Sequence, residues 1–494
     1  MDFNEIPTDW LQPDTFAEIS ANYDQAGLLE YPQRVLMFAP RLAAGALKDT
    51  LIAQVTRANQ AIAYLGDGSI GNEMVVYFKK GNSTTAFYII AVDADVDAVA
   101  ATGSFTFVGA VPSSTVLRFL VAGRDIRITA LPTDTVANLA TKLAAAINAD
   151  SSNTVTATAA LGVVTCTSRY GGEVGNDIDL RVNTDAQIVP TGLTITVADM
   201  HGGQGNPSIQ PLLDAIANTW FTSVISPFSD ATNMGLLEAW VAARYVATAK
   251  LDVQAYVAKR GTFGQLGTFG ALTNTPFVSA MGLNRPKSNA FNIAAAVGAL
   301  AAFHLTNDPA RQLRSLVLPG IVAPDEIDQF EDTEKNLLLQ TGISTFEHLP
   351  DGTTTISRLI TTYKTTSLGV ADRAWLDVMV PATMSRIRYD WASYTTLLYP
   401  RAKLVKDDST AANSNSYDSD GNQDAVVTPK KMKATWTARC KLYEKRAWIQ
   451  DVANTVKQST FAISDSDKNR LEGRPLVNIV GNLMVFAQSL QFEA

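Results

Sequence analysis

With 494 residues, 46% of them hydrophobic and 18% charged, the chain has apolar material for more than one buried core, and its length predicts roughly three domains. A net charge of −8 argues against a general nucleic-acid binder, because neutralising phosphates takes a basic surface. Only two cysteines occur, Cys166 and Cys440, which excludes a disulfide framework or a cysteine-rich metal site. The opening Met1-Asp2-Phe3-Asn4-Glu5 has neither a basic nor an apolar leader pattern, so no secretory signal is expected. No stretch reaches the roughly 18 uninterrupted apolar residues of a membrane span. The longest candidate, Ile293 to Leu305, contains Gly298 and His304 and reads as a buried helix. The chain therefore reads as a soluble protein folded in a reducing cytoplasm.

Residues 1–33 read as an extended arm. Pro7, Pro13 and Pro32 interrupt any helix, and Phe3, Ile6, Trp10, Leu11, Phe16 and Ile19 follow no 3.6-residue period. Such large apolar groups are expected to dock on something. Arg34 to Ala39 is an apolar run typical of a buried strand, Arg57 to Leu65 and Ser69 to Lys80 read as helices, and Ala86 to Val92 is a second buried strand. This strand–helix–strand rhythm opens an α/β domain.

From about 99 to 200, Thr, Val and Gly dominate. Short strands are expected at 104–108, 116–121, 125–130, 154–159, 163–168, 178–182 and 193–198, with one helix at 134–148. The block reads as a β-rich domain inserted into the α/β domain, whose two parts are then 34–98 and 201–350. In the second part, helices at 209–218, 231–249 and 288–305 alternate with strands at 220–225, 252–258, 276–280 and 315–318. That alternation predicts a parallel sheet with helices on both faces. Residues 351–474 read as an α+β C-terminal domain. A hairpin of 344–348 with 353–359 leads into it, helices are expected at 371–398 and 429–455, and an Asp-rich connector spans 407–428. In the last piece, 475–494, Met484, Phe486, Leu490 and Phe492 alternate with smaller or polar residues, predicting a half-buried strand that needs a sheet edge, its own or a neighbour's.

A search for chemistry finds little. Gly66-Asp67-Gly68-Ser69-Ile70-Gly71 spells G-x-G-x-x-G, but a helix precedes it where a dinucleotide site requires a strand, so it reads as a helix–helix turn. Asp93 to Asp97 opens like a calcium loop but lacks Gly at position six and Glu at position twelve. His201, His304 and His348 are isolated from one another, and neither a G-x-S-x-G elbow nor a G-x-x-x-x-G-K-[ST] loop is spelled anywhere. No catalytic, cofactor or metal residue is assigned, and the chain is expected not to be an enzyme. One charge feature stands out. Lys430, Lys431, Lys433, Arg439, Lys441, Lys445 and Arg446 face a single acid, Glu444, between Pro429 and Arg446. It reads either as a solvated helix face or as an electrostatic contact to an acidic partner.

Several segments together resemble the tail sheath proteins of contractile-tailed phages, especially the Mu-like group. They are Phe3 to Pro7 followed by Arg34 to Phe38, Asp134 to Asn148, Val155 to Ala159, Gly171 to Leu180, Gly282 to Pro286, and Arg358 to Tyr363 before Asp372 to Trp375. The similarity runs in order over essentially the whole length. It implies a subtilisin-like α/β core without a protease site, an outward-facing insertion and a C-terminal domain facing the tail tube. It further implies a helical homo-oligomer of hexameric rings around a tube protein, with baseplate and tail-terminator partners and no nucleic acid. Terminal arms would join neighbouring subunits by strand addition, through Phe3, Ile6, Trp10 and Phe16 at one end and Met484, Phe486, Leu490 and Phe492 at the other. Three other readings stay open at this point: the sheath of a headless contractile injection particle, a subtilisin-like hydrolase, and nucleic acid as the partner of the basic segment.

Overall fold

The computed structural model describes residues 27–185, 187–413 and 426–492. They fold into two units. The larger runs from Pro32 to Pro381, and the smaller joins the segment up to Tyr31 to everything from Ala382 onward.

The larger unit is built on a nine-stranded sheet. Its order is Val317–Val322, Thr353–Arg358, Ile343–His348, Val278–Leu283, Gln254–Arg260, Ser223–Ile225, Arg34–Pro40, Ala86–Val92 and Ile52–Gln54. The six strands from Ile343–His348 to Ala86–Val92 pair in parallel, and antiparallel strands close both ends. Strands buried on both faces read as unbroken apolar runs, which is why Arg34–Pro40 stands out in the sequence: Val35 through Ala39 are wholly buried. Helix Ile70–Gly81 starts where Ser69 accepts a hydrogen bond from the Asn72 amide at 3.1 Å. Gly66 and Gly68 both take positive φ just before it, so the G-x-G-x-x-G segment is a helix–helix turn. The Ala-rich helix Ala290–Asn307 is long and apolar enough to cross a membrane, but most of it is buried in the core. Its Gly298 allows close approach, since a Cβ there would lie 2.6 Å from the Ile225 side chain.

Two sequence expectations need correction, and two helices went unread. The glycine-bearing segment Gly261 to Gly270 contains the helix Phe263–Gly270, started by a capping box of Thr262 with Gln265 and held by buried Leu266 and Phe269. A helix at Asp332–Gln340 was not anticipated at all. The helix expected from 371 begins only at Met379, because the preceding residues are held in turns: Arg358 binds both carboxylate oxygens of Asp377 at 2.9 Å, and Tyr363 donates to Asp372 at 2.7 Å. Finally, Thr353–Arg358, placed in the C-terminal domain from sequence, is a strand of the nine-stranded sheet and belongs to the larger unit.

Residues 102–201 form two antiparallel sheets with the helix Val136–Ala149 packed on them. One is four-stranded (Leu193–His201, Thr102–Gly109, Val163–Ser168, Val155–Ala160), and the other three-stranded (Arg124–Ala130, Thr115–Val121, Leu180–Val182). The join to the nine-stranded sheet is strongly ionic. Arg181 pairs with Asp179 at 2.6 Å and Asp325 at 3.1 Å, Arg260 reaches Asp179 at 3.4 Å, and Lys287 bridges Asp325 and Asp185.

Candidate assembly site in the C-terminal unit

The C-terminal unit is organised by two helices, Met379–Leu398 and Pro429–Lys445. The second starts with Thr428 accepting from the Lys431 amide and with Pro429 in its first turn, where a missing N–H costs nothing. It ends before Ala447 and Asp451, both at positive φ, and a separate helix Val452–Gln458 follows. The single helix expected over 429–455 is therefore two. The core between the elements is aromatic. The ring centroids of Trp391 and Trp436 lie 5.0 Å apart, Tyr443 stacks on Trp448 at 6.0 Å, and the Trp436 indole N–H donates to Ser459 Oγ at 3.2 Å.

Six of the seven predicted basic residues lie on or near this unit's surface. Lys430, Lys441, Lys445 and Arg446 are exposed, while Lys431 and Lys433 are half-buried. Arg439 is the exception. Only 1% of it is exposed, and it binds the fully buried Asp390 through bonds of 2.5–3.0 Å, with its guanidinium 4.1 Å from the Tyr394 ring centre. Arg439 is accordingly an internal cation and presents no charge to a partner. Burial pulls its pKa down, but the Asp390 carboxylate and the Tyr443 hydroxyl outweigh that and hold it above the ordinary value. Tyr443 donates to Asp390 at 2.6 Å, and burial followed by the Asp390 charge pushes its phenol up, so it remains a donor. Asp390 also accepts from the Leu29 amide at 2.9 Å.

The sequence contained a signal for this buried pair. Trp436, Arg439, Cys440 and Tyr443 are spaced three and four apart, so Arg439 lies on the apolar stripe of its helix. Thr383, Ile387, Asp390 and Tyr394 repeat the spacing on the facing helix. A charge in an apolar stripe marks a partner opposite it. Charge counting alone put Arg439 among the surface cations and missed Asp390.

The chain then forms a two-stranded antiparallel sheet, Thr460–Ile463 with Leu471–Arg474, and leaves it as an irregular segment. This segment is pinned at its root. Leu476 N–H donates to Ser459 Oγ at 3.0 Å, Gln450 N–H to Asn478 O at 2.8 Å and Val480 N–H to Trp448 O at 3.3 Å, and Ile479 bridges Ile449. Beyond it Leu483 and Val485 are exposed, as are Phe486 (72%), Leu490 (91%) and Phe492 (89%), while Met484 is half-buried. The half-buried strand expected here does not form among the described residues: a strand needs a continuous ladder of backbone partners, and 475–492 make the single bridge of Ile479 to Ile449. Phe3, Ile6, Trp10 and Phe16 lie outside the described residues.

No protein-family model matches the chain. Among solved structures it resembles a sheath tail protein of Desulfitobacterium hafniense (12% identity, 94% of this chain and 100% of that one, TM-score 0.47). It also resembles one of Listeria innocua (10% identity, 92% and 93%, TM-score 0.47). A third likeness is to the sheath complex of an extracellular contractile injection system in the contracted state (8% identity, 98% of each chain, TM-score 0.49). In sequence it is 30% identical over 492 residues, 99% of each chain, to the Mu-like prophage FluMu tail sheath protein of Haemophilus influenzae. Identity at that level over 99% of both chains makes this chain a member of the Mu-like tail sheath protein family, a structural protein and not an enzyme.

Proposed function

We propose that the chain polymerises as stacked hexameric rings around a tail tube and contracts to drive that tube through a host envelope for genome ejection. The observation that supports this most directly is the exposed apolar tail, Leu483 to Phe492, rooted on a small unit whose two sheets, among the described residues, have two strands each. Burying one such large side chain is worth about 1.5–3 kcal/mol, so a tail with five of them above 70% exposure is built to be covered. Strand addition to a neighbour supplies a continuous ladder of backbone hydrogen bonds and fixes register. Repeated along a lattice, such contacts hold subunits together by effective concentration. The N-terminal Phe3, Ile6, Trp10 and Phe16 act in the same way at the other end. The exposed Lys430, Lys441, Lys445 and Arg446, with Lys431 and Lys433, face an acidic tube. The α/β core takes the subtilisin-like arrangement with the insertion outward, baseplate and terminator proteins bound the ends of the sheath, and assembly takes place in the host cytoplasm. Energy comes from better interfacial burial in the contracted lattice, since no phosphate-cradling loop is spelled in the sequence.

Removing residues 475–494 tests the proposal. The truncated protein is expected to stay monomeric in sedimentation while the full chain forms hollow tubes visible by negative-stain electron microscopy. Tubes formed by the truncated protein would overturn the arm mechanism.

A further inference from the structure

The five residues Gly27 to Tyr31 connect the N-terminal arm to the larger unit, which starts at Pro32, and they are tied down by side chains of the C-terminal unit. Leu29 N–H donates to Asp390, and the Leu29 carbonyl accepts from Arg386 at 3.0 Å. The Gly27 carbonyl accepts from both terminal nitrogens of Arg439 at 3.3 Å. The Tyr31 ring meets Tyr389 edge-on at 5.3 Å, and the Arg386 guanidinium lies 5.1 Å from the Tyr31 ring centre. The same Arg386 lies 5.8 Å from the ring of Trp448, whose carbonyl accepts from Val480 at the foot of the C-terminal arm. The roots of both arms thus meet around one arginine and one tryptophan.

A buried ion pair is seldom the most stable filling for a core, since well-packed apolar residues often do as well or better. What Asp390 and Arg439 add here is directional: each also binds the main chain of the N-terminal root, and no apolar pair can do that. We infer that Asp390, Arg439 and Arg386 are positioning residues that fasten the two arms to one node, so that a pull on either arm by a neighbouring subunit is carried through the C-terminal unit to the other. This inference rests on the arms joining subunits, as proposed above.

The test uses the full chain with Asp390→Asn and, separately, Arg386→Met, which leaves the buried pair intact. Hydrogen exchange of the amides in 27–31 is followed alongside far-UV circular dichroism, and assembled tubes are challenged with rising urea. Both variants are expected to keep wild-type circular dichroism, to exchange in 27–31 roughly tenfold faster or more, and to lose their tubes at lower urea than the wild type. Faster exchange with wild-type tube stability would overturn the node while leaving the arms as the joining elements. Unchanged exchange in Arg386→Met would overturn it as well, and would decide the matter alone if Asp390→Asn failed to fold. Failure of the arm reading is separately visible as tubes that survive removal of 475–494.

Discussion

The two units of this subunit differ in how far each satisfies itself. The larger one pairs nine strands internally and closes its parallel centre with antiparallel strands at both ends. The smaller one has two sheets of two strands each among its described residues and leaves Phe486, Leu490 and Phe492 in water. Charge does not divide the same way: residues 382–494 hold 16 basic and 12 acidic side chains, but residues 1–31 of the same unit add seven acids and no base, leaving it at −3 against −5 for residues 32–381. A unit whose strands are paired internally is suited to act as a rigid body, whereas one that leaves large apolar side chains in water is suited to joining others. The difference teaches where the proposed joining surface lies, in the last residues of the chain.

This contrast is open to attack by mutation. Phe38→Ala, in the wholly buried central strand, is expected to destabilise the subunit by about 3–5 kcal/mol in denaturant titration. Arg439→Met should cost about 3–5 kcal/mol, because it leaves Asp390 buried and unpaired; a loss below about 0.5 kcal/mol would return Arg439 to the surface.

Glu73 supplies a pH test of the larger unit. It is buried, with Oε1 bonded to Asn292 at 2.6 Å and Oε2 without a hydrogen-bond partner, and burial lifts its pKa from 4.5 to about 7 against the weaker pull of Asn292, Arg124 and Lys80. The folded state then holds this proton more tightly than the unfolded chain. Its contribution is fully present below about pH 4.5 and is lost as pH rises to about 7. Glu73→Gln is therefore expected to gain roughly 2–3 kcal/mol over the wild type at pH 8 and almost nothing at pH 4, read from urea midpoints at the two pH values. A gain independent of pH would show that folding leaves the Glu73 pKa unshifted. The smallest effect on stability is expected from the double change Phe486→Ser and Phe492→Ser, within about 0.5 kcal/mol for the isolated subunit, although assembly followed by light scattering should fall sharply.

Much of the larger unit was legible in the sequence. The strands Ala86–Val92 and Val163–Ser168 coincide with the predicted ones, and the helix read from Ser69 is capped by that residue. These features depend on residues a few positions apart, where periodicity and capping chemistry act. The helix at Phe263–Gly270 was obscured by glycines whose low propensity is overridden by the burial of Leu266 and Phe269, although the Thr262–Gln265 capping box was there to be read. In the candidate site, the alternating apolar residues of the C-terminal arm were visible, but their conformation was not.

By itself, then, the sequence determined which segments are apolar, where helices begin, that no familiar catalytic motif is present, and that the C-terminal arm has side chains to bury. Only the tertiary structure decided that Arg439 points inward to Asp390, that Thr353–Arg358 belongs to the large sheet, and that residues 475–492 form no strand among the described residues. The physical reason is common to all three. A side chain's charge and a strand's hydrogen-bonding groups state what kind of partner is needed, but the partner itself lies tens or hundreds of residues away or in another molecule, and it is chosen by packing.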